Sequence, residues 1–324
     1  MMQKPMDNIS TEEKSLLNAL IYYDIFDHPL SYEELCRSSI LHKVNSGRKI
    51  REAIHKLQAR GLIGEKKQYY FLGKKDWSVD SRLAEKNRVN RFMKIARISS
   101  RLIATFPFVR GIFISGALSK DRVEKKGDID FFIITEPGKL WIARTLLVMF
   151  KKLFLFNSYK YFCLNYFIDE NSLETPNKNL YTATDVVTLI PVYNLKIYED
   201  FVQINKWAYA YYPNYPRRKG PFNVKPYSGI LKKIMESVFR NRPGRKLDDY
   251  FMRKTLHHRR KKFNDFSNSR FNKAFITEKN ISTHHPNDFQ DKVLDKFRHR
   301  QEAFEKRHML SLHDLPGFKI KITD

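Results

Sequence analysis

Two aspartates spaced two apart, Asp128 and Asp130, are the residues best suited to chemistry, and they lie downstream of a glycine turn, Gly111-Ile112-Phe113-Ile114-Ser115-Gly116-Ala117-Leu118-Ser119. On a strand, side chains two apart share a face, so the two carboxylates converge while Ile129 and Phe131 point into packing. Paired carboxylates suit a divalent metal. Phosphoryl and nucleotidyl transfer use Mg²⁺ held in this way to neutralise a triphosphate and to lower the pKa of an attacking hydroxyl. Gly116 has no side chain, so backbone N–H groups at the start of a following helix can approach phosphate oxygens.

These groups need a buried scaffold. The spacing predicts a helix over residues 89–105 (Phe92, Ile95, Ala96, Ile98, Leu102, Ile103), a buried strand over 109–115, and a second strand through Asp128 and Asp130. The apolar run at 140–156, interrupted by Arg144, Lys151 and Lys152, reads as a largely buried helix with a polar stripe. A helix lying on a membrane surface is its minor alternative.

Upstream, Ser10 with Glu13 and Ser31 with Glu34 are capping-box signals for two helices, and Asn45 or Ser46 opens a third. That third helix puts Ile50, Ile54 and Leu57 on one face and Arg48, Lys49, Arg51, Lys56 and Arg60 on the other. Gly61 stops it, and strands at 62–63 and 69–72 around Gly64-Glu65-Lys66-Lys67 follow. Three helices and a basic hairpin are expected to form a winged helix-turn-helix whose Arg48, Lys49 and Arg51 suit nucleic-acid phosphates. Residues 74–90 are read as a linker or connecting helix, with a first boundary near residue 85.

A strand ending in glycine, a short helix and a downstream Asp-x-Asp strand resemble the polymerase-beta-like nucleotidyltransferase superfamily. The wider context resembles bacterial proteins that join a winged helix to such a domain, in Ile21-Tyr22-Tyr23-Asp24-Ile25-Phe26-Asp27-His28-Pro29-Leu30, Trp141-Ile142-Ala143-Arg144 and Cys163-Leu164-Asn165-Tyr166. This resemblance runs over about the first 210 residues. It implies an α/β nucleotidyltransferase domain, a short mixed sheet with helices, over residues 86–200. A winged helix-turn-helix (1–85) precedes it, and a basic, mostly helical region (201–324) follows. The resemblance further implies Mg²⁺, as one ion or two, at Asp128 and Asp130, and a nucleoside triphosphate positioned by Ser115, Gly116 and Ser119.

Two positions depart from the family pattern. Ala117 stands where the turn usually has serine, and the expected third strand, 161–168, carries Asn165 where the family has a carboxylate that often acts as general base. Asn165, or Asp169 or Glu170 at the strand's end, is left to complete the site. The reading is therefore an Mg²⁺-dependent transfer of a nucleotidyl group from a triphosphate to an unidentified acceptor. Its alternative is a DNA-binding regulator whose transferase-like domain only senses nucleotide.

Composition bounds these readings. Sixty Lys and Arg against 35 Asp and Glu give a net charge of +25, a field that attracts nucleoside triphosphate, DNA or RNA, or another anionic surface. Hydrophobic residues at 42% are enough for a packed core and argue against disorder. The two cysteines, Cys36 and Cys163, are read as reduced core residues, which excludes a disulfide framework or a zinc cluster. Residues 1–14 lack the apolar stretch of a signal peptide and no run suits a membrane span, so a cytoplasmic protein is expected.

In the last third, a helix over 201–213 closed by Pro213 is followed by a Pro- and Arg-rich loop at 214–226. Helices are then expected from Ser228 and through His257-His258-Arg259-Arg260-Lys261-Lys262, with Phe251, Phe263 and Phe266 at packing positions. His284 and His285 are assigned no chemistry, and Asn287 or Asp288 is expected to cap the helix through Val293 and Leu294.

Overall fold

The computed structural model of the protein describes residues 9–44, 46–156 and 160–313; Asn45 and residues 1–8 of the N-terminal segment lie outside them. Ser10 caps α1 (Thr11–Asp24) through the predicted reciprocal bonds, Glu13 N to Ser10 Oγ at 3.2 Å and Ser10 N to Glu13 Oε2 at 2.8 Å. Ser31 and Glu34 repeat the motif between β1 (Leu30–Ser31) and α2 (Tyr32–Arg37). In α3 (Gly47–Ala59) Ile50, Ala53, Ile54 and Leu57 are buried, while Arg48, Lys49, Arg51 and Lys56 are exposed.

β2 (Ile63–Lys66) and β3 (Tyr69–Leu72) pair antiparallel, and β1 lies on the other side of β3. Lys66 sits opposite Tyr69, so β2 is longer than its predicted two residues and the turn is Lys67-Gln68, both at positive φ. A two-residue turn with that backbone matches the twist of its strands. The hairpin's lysines are engaged: Lys66 Nζ lies 2.7 Å from Asp80 and Lys67 Nζ 3.1 Å from the same carboxylate.

The boundary predicted near residue 85 falls inside one continuous helix, α4 (Trp77–Thr105). Arg82 of that helix donates to Glu34 Oε1 at 2.7 Å and to the Pro29 carbonyl, joining α2 and the 28–30 turn to the rest of the chain. Burial alone would raise the Glu34 pKa, but the Arg82 guanidinium brings it down to about 2.

β4 (Val109–Ser115), a single 3₁₀ turn (Leu118–Lys120) and β5 (Asp130–Thr135) come next. They are followed by α5 (Leu140–Phe154), β6 (Cys163–Asp169), α6 (Leu180–Thr188) and β7 (Ile190–Tyr193). A five-stranded sheet results, in the order β7-β4-β5-β6 and then β8 (Ile281–Thr283), with β5 and β6 parallel and the other neighbours antiparallel. The fold is thus a mixed α/β protein with two small sheets.

Strand periodicity divides the core. Ile112, Ile114, Phe131 and Ile133 pack on one face of the sheet with α4 and α5; Phe113, Phe132 and Ile134 pack on the other with α1, α6 and α7 (Leu195–Ile204). The 200/201 boundary falls inside α7, and the predicted 201–213 helix is broken at Asn205 before α8 (Ala208–Tyr211). Asn205 is fully buried: its Oδ1 accepts from Thr175 N at 2.9 Å and its Nδ2 donates to Leu173 O at 2.7 Å. This satisfies its polar groups where the helix ends.

The C-terminal third is largely helical, with α9 (Gly229–Phe239), α10 (Arg242–Lys262), α11 (Asn268–Ala274) and α12 (Phe289–His308), but it is not a separate unit. It supplies edge strand β8, and Arg259, nearly inaccessible, donates to Thr277 Oγ1 at 2.6 Å and Ser282 Oγ at 3.3 Å. Phe263 and Phe266 close around Phe275, and Phe251 packs beneath α5. Asp288 takes the N-cap position of α12 without capping it through its side chain, which instead accepts from Arg270 Nε at 3.0 Å. Gln301 of α12 donates to Asn18 of α1 at 2.8 Å. Among the described residues no helix is long and apolar enough to cross a membrane.

His28 supplies a stability test. It is buried, and loss of hydration, then the nearby Arg82 charge, lowers its pKa from 6.5 to about 3. A histidine depressed in the fold loses stability as pH falls below its unfolded pKa, down to the folded one. Between pH 7 and pH 5 this amounts to about 2 kcal/mol. Urea unfolding of His28→Gln beside the parent at both pH values is expected to show a stability loss on acidification smaller by about that amount.

Candidate active site at the end of the central strands

Asp130 is the first residue of β5, and Asp128 lies just before it, in an extended segment rather than inside the predicted strand. That segment is held to β6: Ile129 N donates to Lys160 O at 3.0 Å and Cys163 N to Ile129 O at 3.1 Å. Ile129 and Phe131 are buried as expected, so the two carboxylates share the opposite side.

Gly116 follows β4 at φ +66°, and a Cβ there would meet Asp130 Oδ2 at 2.1 Å. Glycine is required on two counts, backbone conformation and space. The helix expected after it is only the 3₁₀ turn, so little helix dipole is available. Ser115 borders the cavity beside the pair. Ser119 is fully buried and donates to Gly116 O at 2.9 Å, so it braces the turn from behind instead of reaching a ligand.

Asn165 stands next to the pair and donates through Nδ2 to Asp130 Oδ1 at 2.9 Å. Asp169 does not. It is paired in register with Thr135 at the far end of β5, whereas Asp130 pairs with Cys163, so it lies ~20 Å along the strands at ~3.3 Å per residue. Its carboxylate accepts from Asn171 N at 3.1 Å in the turn after β6. Glu170 follows it at the same end.

Cys163, expected to be a core residue, does sit in the core and also completes a group with Asp128 and Asp130, whose ligand atoms lie within 4.8 Å of one another. Burial, and then the two carboxylates, push its thiol well above the usual range, so it is a neutral neighbour at physiological pH. Burial and then the Asp128 charge raise Asp130 to about 6. Two carboxylates with water would hold a hard divalent cation such as Mg²⁺; a protonated thiol adds little to that ion and favours a softer one.

The pair forms part of the wall of a cavity of about 1070 Å³ between the sheet end, α6 and the start of α12. Several lining groups were not singled out from sequence. Lys120 Nζ lies 2.7 Å from Asp185 Oδ1 and 3.1 Å from Gly116 O, tying α6 to the glycine turn. Asp185 contributes to the raised Asp130 pKa, which places this third carboxylate within electrostatic reach of the pair. His285, assigned no chemistry from sequence, follows β8 and lines the cavity, as does Tyr181. Desolvation lowers the His285 pKa, partly opposed by Asp185. Arg122, Lys126 and Lys273 also line the cavity.

The signal for Lys120 was its place in the turn after Gly116. No local pattern marks Asp185 or His285, which reach the cavity through the packing of α6 and the pairing of β8. Arg48, Lys49 and Arg51 stand apart on the exposed face of α3, where Arg48 pairs with Glu52 at 3.5 Å and Arg51 lies over the Tyr32 ring at 4.7 Å. Comparison of the chain with protein-family models, curated proteins and solved structures gives no match.

Proposed function

We propose that the protein is an Mg²⁺-dependent nucleotidyltransferase of the polymerase-beta-like kind, with an N-terminal winged helix, transferring a nucleotidyl group from a nucleoside triphosphate to an acceptor hydroxyl or phosphate. The observation that carries this reading is the close approach of Gly116 to Asp130, beside Asp128 and at the wall of a cavity large enough for a nucleotide. The β4–β5–β6 arrangement, with Asn165 on the third strand beside Asp130, supports it.

In this reading Asp128 and Asp130 hold the cation, which when bound neutralises triphosphate charge and acidifies the acceptor hydroxyl. Ser115 and the Gly116 backbone orient the phosphates, and Lys120, Arg122 and Lys126 attract them. Asn165 orients Asp130 as a hydrogen-bond donor but cannot take a proton. Of the other carboxylates lining the cavity, Glu124, Asp185, Asp288 and Asp291, Asp185 is the one whose charge acts on Asp130, and in this reading it serves as the acceptor-side base with Lys120 as its partner. A regulator that binds nucleic acid through α3 is the second reading, favoured by the exposed Arg48, Lys49 and Arg51.

Calorimetric titration of ATP, GTP, CTP and UTP with Mg²⁺ is expected to show binding of at least one triphosphate, lost in Asp128→Ala/Asp130→Ala. Absence of binding to all four overturns the enzyme reading and leaves the second. Gly116→Ala, placed against Asp130, is expected to weaken metal-dependent triphosphate binding at least tenfold, or about 1.4 kcal/mol, while the far-ultraviolet circular dichroism spectrum stays unchanged.

Cation binding should also be proton-linked. With its folded pKa raised from 3.8 to about 6, Asp130 becomes costly to ionise as pH rises through that interval, and a cation must displace its proton. Affinity for Mn²⁺, followed by water-proton relaxation, is therefore expected to fall about tenfold from pH 7 to pH 5. An affinity that does not change between these pH values would show that Asp130 is not a ligand.

A further inference from the structure

Helix α9 is turned inside out with respect to charge. Its Lys232 and Glu236 are buried: Lys232 Nζ donates to Val109 O at 2.6 Å and Ala104 O at 3.1 Å, and Glu236 Oε1 accepts from Phe108 N at 2.8 Å and Arg110 Nη1 at 2.7 Å. Its aliphatic side chains face outward, with Ile230 76%, Ile234 56%, Val238 64% and Leu231 50% exposed. At ~100° per residue, Ile230, Ile234, Val238 and Leu231 occupy an arc of about 100°, and Lys232 and Glu236 lie on the opposite side. The two buried charges fix this orientation, because rotating the helix to hide the aliphatic stripe would withdraw their bonds from the end of α4 and the start of β4.

Charge on the surrounding surface is one-sided. Every exposed charged side chain between residues 229 and 246 is basic: Lys233, Arg240, Arg242, Arg245 and Lys246. Tyr227, just before α9, is 54% exposed with the Arg101 guanidinium 4.3 Å from its ring centre. Helix α10 packs on α5, whose last turn also exposes Met149, Leu153 and Phe154 beside Lys152. An outward aliphatic stripe, a flanking tyrosine and a wholly basic border describe a helix that lies in the interface of an anionic membrane.

We propose that α9 docks the protein peripherally on a bilayer rich in anionic lipid, with Ile230, Leu231, Ile234 and Val238 entering the acyl boundary and Lys233, Arg240 and Arg242 meeting the headgroup phosphates. This site is separate from the carboxylate cavity and does not depend on the nucleotide chemistry. A protein partner on the same stripe is less suited, since no exposed acid breaks the basic border to pair with a mixed-charge surface.

The test is sedimentation of the full chain with vesicles of phosphatidylcholine alone and of phosphatidylcholine with phosphatidylglycerol, in 150 mM salt. The parent is expected to bind the anionic vesicles and to bind the neutral ones at least tenfold more weakly. Ile230→Ser/Ile234→Ser/Val238→Ser keeps every charge and alters only exposed side chains, and it is expected to lose at least tenfold in binding with an unchanged melting temperature. Absence of binding by the parent overturns the proposal. Equal binding by parent and triple variant does so too, because net charge would then account for it. A parent dimer in light scattering that the variant breaks assigns the stripe to a second copy instead.

Discussion

Strands β4 and β5 carry apolar side chains on both faces, and a sheet centre of this kind forms only when both faces are covered together. Helices α4 and α5 cover one face, and α1, α6 and α7 the other, so the N-terminal helices share a core with the sheet. What the strands cannot bury is their open end. There β5 begins with Asp130, and the glycine of the preceding turn lets β4 approach it closely. Site and core are therefore two consequences of one sheet: the strands that demand coverage also bring Asp128, Asp130, Cys163 and Asn165 to the same end.

Polar contacts tie distant parts of the chain together. Arg82 with Glu34, each only slightly exposed, holds α2 against α4, and Arg300 of α12 pairs with Asp24 of α1. Removing one partner of the Arg82–Glu34 pair costs about 3–5 kcal/mol because the other charge is stranded, and the more exposed Arg300–Asp24 pair contributes less. Helix α4 runs on through residue 85 and α7 through residue 200, so neither expected boundary coincides with a break between elements. Of the two readings of residues 74–90, linker or connecting helix, the structure has the helix from Trp77, and the charges of this stretch pair with Asp24 and Asp27 at the end of α1, Glu34 of α2 and Lys66 and Lys67 at the β2–β3 turn.

Local signals were readable where local physics decides the outcome. Both capping boxes, the buried stripe of α3 and the apolar alternation of β4 and β5 depend on neighbours a few residues away, and they appear where spacing puts them. Gly116 and the Asp pair were legible for the same reason. Asp169 was misplaced because sequence gives the length of β6 but not its parallel register with β5, which sends the strand's end away from the site. Asp185 carries no local signal and the adjacent His284 and His285 lack the spacing of a ligand set, because Asp185 and His285 reach the cavity only after α6 folds over the sheet end and β8 joins its edge. Ser119 looked like a phosphate ligand, and only the 3₁₀ geometry of its turn shows it facing the core.

The net charge of +25 gives no hint that a carboxylate at the cavity wall is held partly protonated. Raising Asp130 from 3.8 to about 6 corresponds to roughly 3 kcal/mol of unfavourable ionisation at neutral pH, set by burial and by Asp128. Lys120, the cation nearest the glycine turn, is already paired with Asp185 and does little to relieve it. A divalent cation bound at the pair would recover much of that cost, which is larger than the ~0–1 kcal/mol typical of a surface ion pair. In the proposed reaction the surrounding lysines and arginines would act at longer range, drawing an anion toward the cavity, while the carboxylates would select the cation it meets there.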